Sequence, residues 1–219
     1  MPLKLPRLWV FVLGGVAGLI AAVVAGLALR GEYATTQTAK LSFTIDENFT
    51  DVRKILVRND SAKQIVAMGG GSDFISQDWT AGGGELAPLD LVDPNWRLEL
   101  HGTLRVRTKD PYIGAHEINL DQEVQITPDR LDSQVTLMEP GERLKRYDMT
   151  TAFSRGDAGK SRVDLELTQE ILTDAPWFAH GIADRRVRQS AEKTLANQKT
   201  AIRKLIAEHI DDVPLLPLR

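Results

Sequence analysis

The sequence predicts an α+β domain carried behind one N-terminal transmembrane helix: an antiparallel sheet built as a meander and covered by a single long C-terminal helix. Three observations predict it. An uncharged apolar run occupies Leu8 to Leu29, a series of segments between Leu41 and Ile171 alternates apolar with polar residues, and the stretch from Asp174 to Ile210 places apolar residues three and four apart. Alternation marks half-buried strands, whereas the wider spacing marks one face of a helix.

Composition narrows the function classes. The chain has 219 residues, 42% hydrophobic and 26% charged, with a net charge of -3, which leaves one domain of common size beyond the membrane segment. A mildly acidic chain lacks the clustered basic face that nucleic acid demands. There is no cysteine, so disulfide scaffolds, Cys-ligated zinc and thiol catalysis are excluded.

The run "LWVFVLGGVAGLIAAVVAGLAL" extends roughly 33 Å as a helix, enough to span a bilayer. It exceeds the apolar core of a signal peptide, and "GLALRGEY" offers a poor cleavage site, so a retained single-pass anchor is expected. Lys4, Arg7 and the terminal amine outweigh Arg30 and Glu32, favouring a cytoplasmic N-terminus and an extracytoplasmic domain, periplasmic in a Gram-negative source. Gly14, Gly18, Ala22 and Gly26 recur every fourth residue and form a shallow stripe on which a transmembrane partner, or a second copy in a homodimer, can pack closely.

After the polar "RGEYATTQTAK", read as a juxtamembrane linker, "KLSFTID" alternates Leu41, Phe43 and Ile45 as a first strand. Asn48 is placed to cap a short helix carrying Val52, Ile55 and Leu56, and "SAKQ" from Ser61 has the pattern of a capping box for a second. "SDFISQDW" reads as a strand with Phe74 and Trp79 on opposite faces. The meander then proceeds through inward sets: Trp96, Leu98, Leu100, Leu104 and Val106; Ile118, Leu120, Val124 and Ile126; Leu131, Val135 and Leu137; Tyr147, Met149 and Phe153; Val163, Leu165, Leu167 and Ile171. The turn signals "DPYIG", "TPD", "EPGE" and "RGDAGK" separate them, and such short connections favour antiparallel neighbours. Asp174 and Pro176 read as a helix start before Ile182, Val187, Ala191, Leu195, Ile202 and Leu205, a stripe interrupted by Gln198.

Strand, two short helices, meander and long C-terminal helix, together with the opening "FTIDENFTDVRKILVRNDSAKQIV", resemble the helix-grip fold of the START-related and polyketide-cyclase-like superfamily (SRPBCC). The resemblance covers roughly residues 38 to 210 and divides the chain into a tail (1–7), the transmembrane helix (8–29), a linker (30–37), the helix-grip domain (38–210) and a C-terminal tail (211–219). It implies an apolar cavity between sheet and helix for a hydrophobic small molecule or lipid. Trp96, Leu98, Leu100, Leu120, Tyr147, Met149, Phe153, Trp177 and Phe178 are the lining candidates, and Tyr147 is the one with a polar tip that needs a partner when buried. The membrane helix departs from a family whose members are usually soluble.

Chemistry-bearing patterns are sparse. His101, His116, His180 and His209 are scattered, so no metal site and no cofactor are expected. Glu99, Glu117, Asp121 and Glu123 share the wet face with Arg97, Arg105 and Arg107, the arrangement of cross-strand charge pairs. Neither "MGGGSD" nor "TAGGGEL" has the spacing of a phosphate loop. Without an acid, base or nucleophile constellation, no catalytic residue is assigned. Two functions are compatible with the sequence: a membrane-anchored domain binding a hydrophobic ligand, and a non-catalytic accessory subunit of a membrane complex packed through the small-residue stripe.

Overall fold

Glu32–Ile45 forms the first strand, β1, which therefore contains most of the expected linker. Tyr33, Thr35, Thr36 and Thr38 have the aromatic and β-branched side chains that suit a strand even where few apolar residues mark it. Thr35, Ala39, Phe43 and Ile45 are buried on its inner face. The computed structural model describes residues 31–57, 61–81, 96–109 and 114–212. The expected transmembrane helix with Gly14, Gly18, Ala22 and Gly26 lies outside the described residues, as does "GGG" at 82–84. Among the described residues no helix is long and apolar enough to cross a membrane.

Two short helices follow, α1 (Phe49–Leu56) and α2 (Ser61–Gly69). Asn48 caps α1 as expected, its side-chain oxygen accepting from the Asp51 amide at 3.1 Å. The Ser61 hydroxyl donates back to the Leu56 carbonyl at 2.6 Å, tying α2 to the end of α1.

The remaining strands are β2 (Ser72–Ala81), β3 (Leu98–Thr108), β4 (Glu117–Ile126), β5 (Arg130–Leu137), β6 (Leu144–Arg155) and β7 (Ser161–Asp174). They join β1 in one seven-stranded antiparallel sheet of order β1-β7-β6-β5-β4-β3-β2. The expected inward sets of β3 to β7 do share one face. Phe74 and Trp79 also face inward together, because the register of β2 against β3 slips between Phe74 and Ser76; the extra residue, Ile75, reverses the alternation. On the wet face Arg105 and Arg107 both bind Glu117 across the β3–β4 pair, at 2.5 and 2.7 Å.

β7 continues to Asp174, which pairs with Glu32, so Asp174 is a strand end and not a helix cap. Pro176 is extended, one 3-10 turn covers Trp177–Ala179, and the long helix α3 runs His180–His209. Val187, Ala191, Leu195, Ile202 and Leu205 are buried as its stripe predicts, whereas Ile182, one turn before the stripe meets the sheet, is 55% exposed. Ala191, Leu195, Ile202 and Leu205 join the core cluster of Phe43, Val163, Leu165 and Leu167 of β1 and β7 and Val52 and Ile55 of α1, whereas Val187 clusters with Leu144 and Ile171. Each such aliphatic side chain contributes about 1.5–3 kcal/mol on burial.

Candidate functional site: a hollow between sheet and helix

Because α3 rests on β1 and β7, the inner faces of β3 to β6 are left partly uncovered. A cavity of about 730 Å³ lies between them, α2 and the middle of α3. Its sheet side is largely apolar: Leu100, Leu104 and Val106 from β3, Leu120 and Val124 from β4, Val135 from β5, and Met149 and Phe153 from β6. The helical side differs. Ser190, Lys193, Thr194, Asn197 and Gln198 of α3 face it, opposite Ile65 and Val66 of α2. Val57, Gly70, Gly71, Trp79, Lys109, Gln189 and Lys193 are its solvent-exposed members and mark where the hollow meets water.

Of the sequence-derived lining candidates, Leu100, Leu120, Tyr147, Met149 and Phe153 come together in this wall. Four do not. Trp96 lies beyond the end of β3, its ring under the Arg53 guanidinium at 5.1 Å, while Arg53 also donates to the carbonyls of Thr127 and Pro128. Leu98 packs against the main core. Trp177 and Phe178 are 69% and 65% exposed, because the chain turns through them after leaving the sheet and before α3 begins to pack.

Several polar side chains of the hollow are held by hydrogen bonds. The Tyr147 hydroxyl donates to the Met149 sulfur at 3.5 Å, a weak acceptor, and burial pushes the phenol pKa from 10.0 up to about 12. Gln77 Nε2 donates to Gln122 Oε1 at 2.9 Å, linking β2 to β4 above β3. Gln169 Nε2 donates to the Val187 carbonyl at 2.9 Å and fastens β7 to α3. Both Gln122 and Gln169 are buried. Each occupies an inward position within an otherwise apolar alternation, and Gln198 breaks the helical stripe. Those polar interruptions were the available signal for the hollow, and the inward sets read from the sequence pass over them.

The histidines do not converge on this cavity. His101 lies opposite Glu123 on the wet face, and His180 stacks on Tyr33 at the start of α3. Among the described residues no group of three His, Asp or Glu side chains is placed to hold a metal ion.

No family model and no curated protein sequence matches this chain. Its structure is similar to that of a Staphylococcus aureus protein of unknown function, with a TM-score of 0.52 at 6% identity over 81% of this chain and 98% of that one. It is also similar to norcoclaurine synthase from Thalictrum flavum, with a TM-score of 0.47 at 16% identity over 80% and 89% of the two chains. A START superfamily protein from Mycobacterium smegmatis gives a TM-score of 0.45 at 12% identity over 81% and 99%. At such identities the likeness is one of fold. By its own architecture, seven antiparallel strands gripping one long C-terminal helix, the chain has the helix-grip fold.

Proposed function

We propose that this chain is a single-pass membrane protein whose helix-grip domain holds one hydrophobic molecule, such as a lipid, in the hollow beneath α3. The observation that carries the reading is the cavity itself. At about 730 Å³ it falls within the range of small-molecule sites, and its largely apolar sheet wall faces a polar helical side, the division an amphiphile would meet. A well-packed core leaves few voids larger than a water molecule, so a hollow of this size suits an occupant. Tyr147 supports the same reading, since a phenol donating to a thioether can exchange that partner for a carbonyl or hydroxyl oxygen at a net gain. The ligand this favours is an amphiphile, its apolar body on Leu104, Leu120 and Val135 and its polar end toward Tyr147 or the Lys193 rim. The anchor of residues 8–29 would hold the domain beside a reservoir of such molecules.

Native mass spectrometry of the full chain released from mild detergent micelles tests this, with organic extraction to identify what is released. The expected result is one apolar molecule per chain that outlasts the loss of detergent. A chain that emerges without an adduct, and takes up none from added phospholipid or fatty acid, overturns the reading.

A further inference from the structure

The three most exposed large apolar side chains among the described residues are Trp177, Phe178 and Ile182, at 69%, 65% and 55%. They lie within one short stretch, and the rings of Trp177 and Phe178 meet edge to face with centroids 5.9 Å apart. An exposed apolar group of this kind marks a contact surface. Its place in the fold says with what. Glu32 pairs with Asp174, and the Ala175 amide donates to the Gly31 carbonyl at 3.3 Å. The described chain therefore begins at the corner from which Trp177 and Phe178 project, and the apolar run of residues 8–29 ends directly before it. Arg185 and Arg186 stand exposed one turn beyond Ile182 on α3, where an anionic surface would attract them.

From this juxtaposition we infer that Trp177, Phe178 and Ile182 form a second membrane contact, seated at the headgroup level of the bilayer that holds the N-terminal segment. Tryptophan and phenylalanine flanked by arginine are the side chains that suit that boundary. Two attachments at one corner fix the tilt of the domain, which a single attachment leaves free. The contact rests on the reading of residues 8–29 as a membrane span.

The chain has no cysteine, so one introduced thiol is unique. The full chain carrying Phe178→Cys, Ile182→Cys or, at the opposite end of the sheet in the β6–β7 turn, Asp157→Cys is labelled with nitrobenzoxadiazole. Each is reconstituted into vesicles of phosphatidylcholine and phosphatidylglycerol, and alkaline carbonate first tests the anchor. A chain stripped from the vesicles overturns the membrane span and the second contact together. With the anchor retained, labels at 178 and 182 are expected to lose emission to spin-labelled acyl chains and to resist aqueous iodide, with the reverse at 157. Iodide quenching at 178 and 182 equal to that at 157 overturns the second contact and leaves the anchor standing. Protection from both quenchers also overturns it, because the patch is then covered by protein.

Discussion

The ring of Tyr33, near the start of β1, lies flat on the imidazole of His180, the first residue of α3, with centroids 3.6 Å apart and planes 6° apart. Its hydroxyl continues to Asp184 at 3.0 Å, and the Thr35 hydroxyl donates to the same carboxylate oxygen at 2.6 Å. One turn of the helix is thereby fastened to the edge strand at the corner where the described chain begins.

The Thr35 hydroxyl bond, helped by Tyr33, holds the Asp184 carboxyl below the ordinary carboxylate range. A depressed folded-state pKa stabilises above the unfolded value, about 4, and the contribution is lost as the pH falls through the folded value. Asp184→Asn should therefore lower the melting temperature by a few degrees at pH 7, and the gap from the native chain should close below about pH 4. Thermal melts at both pH values measure this, and a gap independent of pH would show that the charge is irrelevant.

Gly102 has no room for a side chain. A Cβ there would sit 2.7 Å from Cε3 of Trp79 and 2.8 Å from the Asp78 carbonyl oxygen. Gly102→Ala should destabilise the domain by about 1–3 kcal/mol, the usual cost of overpacking, by pushing β2 outward. Adding Trp79→Leu should recover only part of this in chemical denaturation, since the backbone carbonyl stays.

Val135 faces the hollow from β5. In a filled core Val135→Phe would be overpacked and costly; in a cavity it gains contacts, and cavity filling typically adds about 0.5–2 kcal/mol. The variant should melt no lower than the native chain and lose the apolar adduct in native mass spectrometry. A strong drop in melting temperature would contradict an available hollow.

Tyr147→Phe removes a hydrogen bond to sulfur, so at pH 7 it should cost under about 1 kcal/mol. Burial holds the folded phenol at about 12 against 10.0, which makes the protonated phenol the form that favours folding. That contribution is complete below pH 10.0 and is lost as the pH rises through about 12. Denaturation curves across this window should fall more steeply for the native chain than for the variant. If Tyr147 donates to the ligand, the variant should also bind roughly fivefold more weakly.

Much of the architecture was legible from side-chain period. The alternations of β3 to β7 and the stripe Val187, Ala191, Leu195, Ile202 and Leu205 required one dry sheet face and one helix to cover it, and residues so patterned have few other ways to leave water. The boundaries were less legible. Residues 32–39 offer little apolar alternation, and their strand exists because β7 is long enough to pair with all of them. Trp79 turned inward because of a one-residue slip that no local preference announces.

Side-chain period alone assigns the inward residues of β3 to β7, whereas what those residues meet inside follows from the packing of the whole domain. Leu98 and Leu100 are equivalent in the alternation and both pack against the main core, yet of the two only Leu100 also borders the hollow, since the separation of α3 from each strand depends on all the packing between them. For the same reason Trp177 and Phe178, apolar enough for any core, stand in the open beside the chain's entry into the domain. Hydrophobicity dictates that such groups seek an apolar partner, and only the arrangement of β1, β7 and α3 shows that the domain itself leaves them uncovered.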